Sequence, residues 1–207
     1  LHHCWKHQHC SAIMSSSMVG RASRDSGMDR SADNHYPTSS VEEIMARDVA
    51  SISADDCVLF LWATAPMLQE AFQVMKAWGF HYKSNIVWHK LRKDGGSDGR
   101  GVGFYFRNVT ELLLFGVRGK HARTLQPGRT QVNYMGTRKR EHSRKPDEQY
   151  ALIESCSPGP FLELFARGER PGWSVWGNQA DESYTPDWPT YRHHSRRHLE
   201  DGLFATG

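Results

Sequence analysis

Two hydrophobic rhythms alternate along this chain. Cys57-Val58-Leu59-Phe60-Leu61-Trp62 is an unbroken apolar run of strand length, the pattern of a strand covered on both faces. After Pro66, the residues Met67, Ala71, Phe72, Met75 and Trp78 recur at helical spacing, and Gly79 supplies the stop. Tyr82 to Lys90 alternates as a strand, and Glu111 to Gly116 reads as another buried one. Lys145 to Glu154 has helical spacing through Tyr150, Leu152 and Ile153, with Pro146 in its first turn. Phe161–Phe165 and Gly172–Gly177 are the last two strands. Upstream, Ser39 or Ser40 is placed to cap a short helix through Met45, with Glu42 and Glu43 in its first turn. Asp94 to Gly99 is a flexible loop. Strands that alternate with helices predict an α/β fold, a three-layer sandwich.

Residues 1–30 break this order. They show no period, are rich in Ser, His and Arg, and offer no apolar core strand. They read as a disordered or aberrant segment unmatched to the fold. Residues 31–185 form the expected domain, and 186–207 a polar tail. The 207 residues suit one α/β domain rather than two. No run approaches a membrane span, and the start has no secretory signal pattern, so a cytoplasmic protein without membrane contact is expected. Cys57 and Cys156 lie in or beside apolar runs and read as small buried residues, so no disulfide is implied. Cys4 and Cys10 lie among His2, His3, His7 and His9, but their spacing fits no standard zinc module and no metal is expected.

Net charge is only +3, but its distribution matters more. Between residues 118 and 145 stand Arg118, Lys120, Arg123, Arg129, Arg138, Lys139, Arg140, Arg144 and Lys145, with no acid before Glu141. Such a run is either a solvated loop or a surface for nucleic-acid phosphates.

Four segments in a fixed order carry a resemblance. They are Asp33-Asn34-His35-Tyr36-Pro37-Thr38, Leu59-Phe60-Leu61-Trp62-Ala63-Thr64, Phe106 to Leu114, and the stretch from His142 to Gln179. The last holds Ser143-Arg144-Lys145-Pro146-Asp147-Glu148, Ser157-Pro158-Gly159-Pro160, Glu163-Leu164-Phe165-Ala166-Arg167 and Trp176-Gly177-Asn178-Gln179. Together they resemble the MT-A70-like adenine-N6 methyltransferases, a family with a eukaryotic messenger-RNA branch and a bacterial and phage DNA-modifying branch. The short chain looks like the prokaryotic or phage branch.

The resemblance implies a Rossmann-like domain with a mostly parallel sheet. It implies S-adenosylmethionine as methyl donor and the exocyclic amine of adenine in nucleic acid, DNA ahead of RNA, as acceptor. Lys145 would then hold the methionine carboxylate, while Arg167, Asn178 and Gln179 would bind the ribose and adenine, with Glu163 nearby. A lysine suits a carboxylate, and side-chain amides suit hydroxyls because they both donate and accept. Glu163 sits inside an apolar strand, so it needs a partner, either an arginine or the ligand. Asn34, His35 and Tyr36 would lie near the target base, with Tyr36 or His35 stacking on it or packing on the core. Arg138, Lys139 and Arg140 would meet phosphates. Trp62 reads as core, while Trp88, His89 and Arg107 are candidates to face a substrate channel.

One element of the family pattern is absent. The signature Asp-Pro-Pro-Trp belongs at a strand end shortly before the His-Tyr-Pro segment. There an Asp side chain and a Pro carbonyl would accept the two amine hydrogens and free the lone pair. Pro37 is the only proline before residue 60, and Trp5 the only early tryptophan. The catalytic residues are therefore unassigned, with Asp29 and Asp33 the remaining acids. Ser16-Ser17-Met18-Val19, if encoded TCC-TCC-ATG-GTN, would read Pro-Pro-Trp one base out of frame, although the shifted codon before it cannot encode Asp. A displaced frame, divergence, or a catalytically silent nucleic-acid-binding homologue each account for the gap.

Overall fold

The computed structural model describes residues 10–14, 39–99, 105–125, 129–138, 144–166 and 168–177, the first of these as backbone only. Seven strands form one sheet: β1 (Cys10–Met14), β2 (Cys57–Ala63), β3 (His81–Leu91), β4 (Thr110–Arg118), β5 (Tyr134–Arg138), β6 (Phe161–Leu164) and β7 (Trp173–Trp176). Among the described residues the sheet is accompanied by helices α1 (Val41–Met45), α2 (Val49–Ile52), α3 (Leu68–Ala77) and α4 (Glu148–Cys156). The strand order is β5-β3-β4-β2-β1-β6-β7. The sheet is mixed: β1–β2, β1–β6, β6–β7 and β3–β5 pair parallel, while β2–β4 and β3–β4 pair antiparallel.

The apolar run of β2 is buried along its whole length because both of its faces meet cores. Leu59, Leu61 and Ala63 join Ile44, Ala71, Val74, Met75, Trp78 and Leu114 in one cluster, against α1 and α3. Val58, Phe60 and Trp62 join Trp88, Leu113, Met135, Leu152 and Ile153 in the other, against α4. Period-two alternation along β2 and β4 thus divides their side chains between two apolar layers.

Local chemistry sets the boundaries. Ser40 caps α1 by accepting from the Glu43 backbone N–H at 3.1 Å, and the Glu43 carboxylate accepts from the Ser40 N–H at 2.9 Å, a capping box. α3 ends at Gly79, whose φ of +80° suits glycine. α4 starts at Glu148, three residues later than the sequence pattern suggests, so Lys145 and Pro146 lie ahead of the helix.

Three expectations are corrected. A strand does occur in residues 1–30: β1 lies between β2 and β6, with Cys10 opposite Cys57 and Ser11 opposite Phe161. Five residues of mixed polarity carry too little pattern to announce it, and pairing on both sides defines it instead. The basic stretch 118–145 is not loop throughout, because Tyr134–Arg138 is strand β5, with Met135 and Thr137 buried. Cys57 is disulfide-bonded, against the expectation of reduced cysteines; Cys156 is free and buried. Among the described residues no helix is long and apolar enough to cross a membrane, and no cluster suited to a metal ion occurs.

Leu114 is fully buried where β4 crosses the α1–α3 cluster. Leu114→Ala is expected to lower unfolding free energy by about 2–5 kcal/mol, measured by urea titration. A loss below about 1 kcal/mol would mean that this layer repacks freely.

Candidate functional site

The register brings strand ends from distant parts of the chain to one edge of the sheet. Because β4 runs antiparallel to β2, Leu112 near its start lies opposite Ala63 at the end of β2. Because β3 runs antiparallel to β4, Trp88 lies opposite Glu111 and His89 opposite Thr110. Leu91 pairs with Arg138 at the end of β5, and Leu164 with Trp176 at the ends of β6 and β7. The end of β1, Met14, pairs with Leu61 and Leu164. This edge is the carboxyl end of every strand except β4, the side on which open α/β sheets gather ligands.

At its centre lies a three-membered ion cluster. Glu111, at the start of β4, takes the Lys90 ammonium on Oε1 and the Lys145 ammonium on Oε2, both at 2.5 Å. The side chains of Lys145, Glu111 and Lys90 are only 8%, 11% and 16% exposed, so Lys145 is not a solvated helix-end lysine. Burial raises the Glu111 carboxyl, but the Lys145 and Lys90 ammoniums outweigh it and hold it below the ordinary carboxylate range. Two ammoniums against one carboxylate leave one net positive charge in a partly buried place. The Lys145 and Lys90 ammoniums also lie 5.5 Å and 5.1 Å from the centroids of the Trp62 and Trp88 rings.

The tryptophan rings are structural. Trp62 is fully buried and donates its indole N–H to Gln149 Oε1 at 2.6 Å, tying β2 to α4. Trp88 is buried and donates to Thr137 Oγ1 at 2.9 Å, tying β3 to β5. Trp88 therefore does not face a substrate channel, which corrects that candidate. The two rings meet edge to face at 5.7 Å and form a wall beside the ion cluster.

Glu163 on β6 is buried with a partner, as the cost of a lone carboxylate requires, but its hydrogen-bond partner is a tyrosine. The Tyr150 hydroxyl donates to it, with distances of 2.9 and 3.1 Å to the two carboxylate oxygens. Arg170 stacks 3.7 Å over the Tyr150 ring. Burial pushes the Glu163 carboxyl up to about 7, against the Tyr150 hydrogen bond and the Arg170 charge, which pull it down. Burial, reinforced by the charge of Glu163, pushes the Tyr150 phenol far above its ordinary value.

Nearby, the Arg47 guanidinium lies 5.3 Å over the Phe165 ring and 4.8 Å over the Trp176 ring. It binds the ends of β6 and β7 to the segment after α1. Gly177 then lets the chain leave β7 against Ala166, where a Cβ would sit 2.7 Å from the Ala166 nitrogen.

Of the cofactor and phosphate candidates singled out from sequence, Lys145, Glu163 and Arg138 are described: Glu163 and Arg138 lie on β6 and β5, and Lys145 lies ahead of α4 against Glu111. Arg167, Asn178, Gln179, Asn34, His35, Tyr36, Lys139 and Arg140 lie outside the described residues, as do Asp29, Asp33 and Ser15 to Met18. His89 and Arg107 are at the edge: His89 Nδ1 is 3.0 Å from the Tyr134 hydroxyl, and Arg107 donates to the Gly99 carbonyl at 3.1 Å. Sequence reasoning missed Glu111, Lys90 and Tyr150. Glu111 carried one usable signal, an acid opening an otherwise apolar strand.

Residues 20–179 match the MT-A70 family. The chain is 36% identical over 152 residues to the type II methyltransferase M.MunI of Mycoplasma sp, covering 71% of this chain and 60% of that protein. It is 31% identical over 150 residues to the N(6)-adenosine-methyltransferase MT-A70-like protein of Drosophila melanogaster, covering 70% of this chain and 24% of that protein. To the human N(6)-adenosine-methyltransferase catalytic subunit METTL3 it is 29% identical over 168 residues, covering 79% and 28%. The matched region thus spans under two thirds of the Mycoplasma protein and about a quarter of the eukaryotic ones.

The raised carboxyl of Glu163 carries a pH prediction. Unfolded, it titrates near its ordinary 4.5; folded, near 7. Between those values the folded protein holds the extra proton. Its stabilising effect is complete below the lower value and fades as pH rises through the higher one, by up to ~1.4 kcal/mol per pH unit. Urea titrations from about pH 5 to about pH 8 should show a steeper fall for the native chain than for Glu163→Gln. Parallel curves would mean that Glu163 is ionised throughout.

Proposed function

The chain belongs to the MT-A70 family, and on that premise we propose that it transfers a methyl group from S-adenosylmethionine to the N6 amine of adenine in DNA. In this reading the fold is a Rossmann-like methyltransferase domain. Helices α1 to α3 supply one outer layer and α4 the other, and the ligands sit at the carboxyl edge.

The observation that carries the proposal is the ion cluster. Lys145 lies at the ligand edge, largely buried, with more positive charge around it than Glu111 neutralises. A bound carboxylate completes such a site, and the methionine end of the cofactor carries one. Lys145 anchors it, and Glu111 and Lys90 fix where the Lys145 ammonium stands. Arg167, Asn178 and Gln179 bind the ribose and adenine, with Glu163 available to a hydroxyl. When bound, the cofactor supplies an electrophilic methyl group on a sulfonium. Asn34, His35 and Tyr36 border the target base, and Arg138, Lys139 and Arg140 meet the phosphates. DNA is favoured because identity is higher to the Mycoplasma type II methyltransferase than to the eukaryotic proteins. RNA adenosine is the alternative, supported by the relatives named as N(6)-adenosine-methyltransferases.

A second reading has its own observation. The end of β1 is the strand end that should carry Asp-Pro-Pro-Trp, and there the chain reads Ser15-Ser16-Ser17-Met18. Without the acid and the proline carbonyl the amine lone pair is not freed. The chain as written then binds cofactor and nucleic acid while transferring methyl groups poorly.

Two measurements follow. S-adenosylmethionine or its demethylated product should bind with micromolar affinity, roughly −8 kcal/mol. Lys145→Met and Asn178→Ala should each weaken it at least about tenfold by calorimetry; unchanged heats would remove the residue from the site. In methyl transfer from labelled cofactor to adenine-containing DNA and RNA, this chain should be slower by about a hundredfold or more than one with an Asp-Pro-Pro-Trp N-terminus grafted before Ser31. Equal turnover would place the catalytic acid elsewhere, with Asp29 and Asp33 the first positions to change.

A further inference from the structure

A second surface at the same edge has no role in the cofactor site. Tyr105 and Phe106 are 93% and 84% exposed, adjacent, and just ahead of β4. Two neighbouring aromatic rings left in water are unusual unless something covers them. Their surroundings indicate its charge. Beyond Lys90, which Glu111 holds, residues 91–107 carry Arg92, Lys93, Arg100 and Arg107 against only Asp94 and Asp98. Aromatic rings interleaved with positive charge suit unstacked bases on a phosphate backbone.

The segment is pinned to the sheet. Leu91 bridges Ser97, the Asp98 N–H donates to the Lys90 carbonyl at 2.8 Å, and the Arg92 N–H donates to the Gly96 carbonyl at 2.7 Å. His89 Nε2 lies 2.9 Å from Ser97 Oγ, and the Lys90 N–H donates to the Val109 carbonyl at 2.8 Å. Arg107, next to the two rings, is held to Gly99. On the adjoining edge strand, Tyr134 is 48% exposed and its ring lies along Gly136, where a Cβ would come within 2.7 Å of the hydroxyl. That missing side chain lets the Tyr134 hydroxyl reach His89. Arg107 thus ties the segment that carries Tyr105 and Phe106, just ahead of β4, to this pinned hairpin, and β4 opens at the sheet edge where Glu111 holds Lys145.

The geometry points to a stacking platform for single-stranded or locally opened nucleic acid beside the target adenine, with bases on Tyr105, Phe106 and Tyr134 and phosphates on Lys93 and Arg107. In an intact duplex the base faces are covered by their neighbours, so the platform discriminates in favour of unpaired segments. The inference rests on nucleic acid being the substrate and is independent of whether methyl transfer occurs.

The test is fluorescence anisotropy without cofactor, using one adenine-containing oligonucleotide as a single strand and as a duplex, at several salt concentrations. Tyr105→Ala/Phe106→Ala should lose about tenfold or more in single-strand affinity, keep its salt slope, and leave duplex affinity almost unchanged. Lys93→Ala/Arg107→Ala should lower the single-strand salt slope by about one to two. Thermal melts confirm that both variants fold. Undiminished single-strand binding by the aromatic variant, where the native chain binds, overturns the platform alone. Failure of the native chain to bind any oligonucleotide overturns the nucleic-acid reading with it. Light scattering that shows a native dimer reduced to monomers by Tyr105→Ala/Phe106→Ala also overturns the proposal, because the rings would then cover a second copy of the chain.

Discussion

A carboxylate placed at the end of an apolar strand must be neutralised, and Glu111 is neutralised twice. Its two oxygens hold lysines from places far apart in sequence, Lys90 at the end of β3 and Lys145 ahead of α4. Each contact offsets part of the desolvation cost of the other two groups, so removing one partner strands charge in a poorly solvated site. The consequence is positional. The approach to α4 is tied to the β3–β4 pair, and the indole N–H of Trp62 ties the next turn of α4 to β2. The carboxyl edge of the sheet is therefore built on strands and on a helix start whose positions are mutually constrained, rather than on a free loop.

How much of this was legible in the sequence depended on the range of the forces involved. The strand from Cys57 and the helix ending at Gly79 were clear because continuous burial and helical spacing leave local marks. A cap at Ser39 or Ser40 was legible because it directly precedes the acidic first turn; that Ser40 takes the position, in a capping box with Glu43, came from the structure. β1 and β5 were not: each has five residues, and each is defined by backbone pairing with strands distant in sequence. At the site, Lys145 and Glu163 were visible through resemblance and the cost of an acid in an apolar strand. Glu111 and Lys90 were not, because they meet only across the reversed pair β3–β4, nor was Tyr150, whose hydroxyl finds Glu163 only when α4 packs against β6.

Trp88 and His89 show how neighbours along a strand part company. In sequence, Trp88 next to His89 invited a role at the substrate. In the fold, strand alternation sends Trp88 into the core and leaves His89 outside, bonded to Tyr134 and Ser97. A single step along a strand decides between scaffold and surface.

The parallel pairing of β1 with β6 also governs the order in which the molecule can be assembled. Ser11 meets Phe161 across about 150 intervening residues, while β2, β3, β4 and β5 pair over much shorter distances. On a ribosome, the block from β2 to β5 can close while β6 is still unmade. During that interval β1 lacks its second neighbour and the sheet exposes a raw strand edge beside its most apolar member, β2. Contacts of long separation slow folding and lengthen the exposure of such edges. β1 can meet β2 early but gains its second neighbour only when β6 is made, and self-association of nascent chains along its open edge is the hazard of that interval.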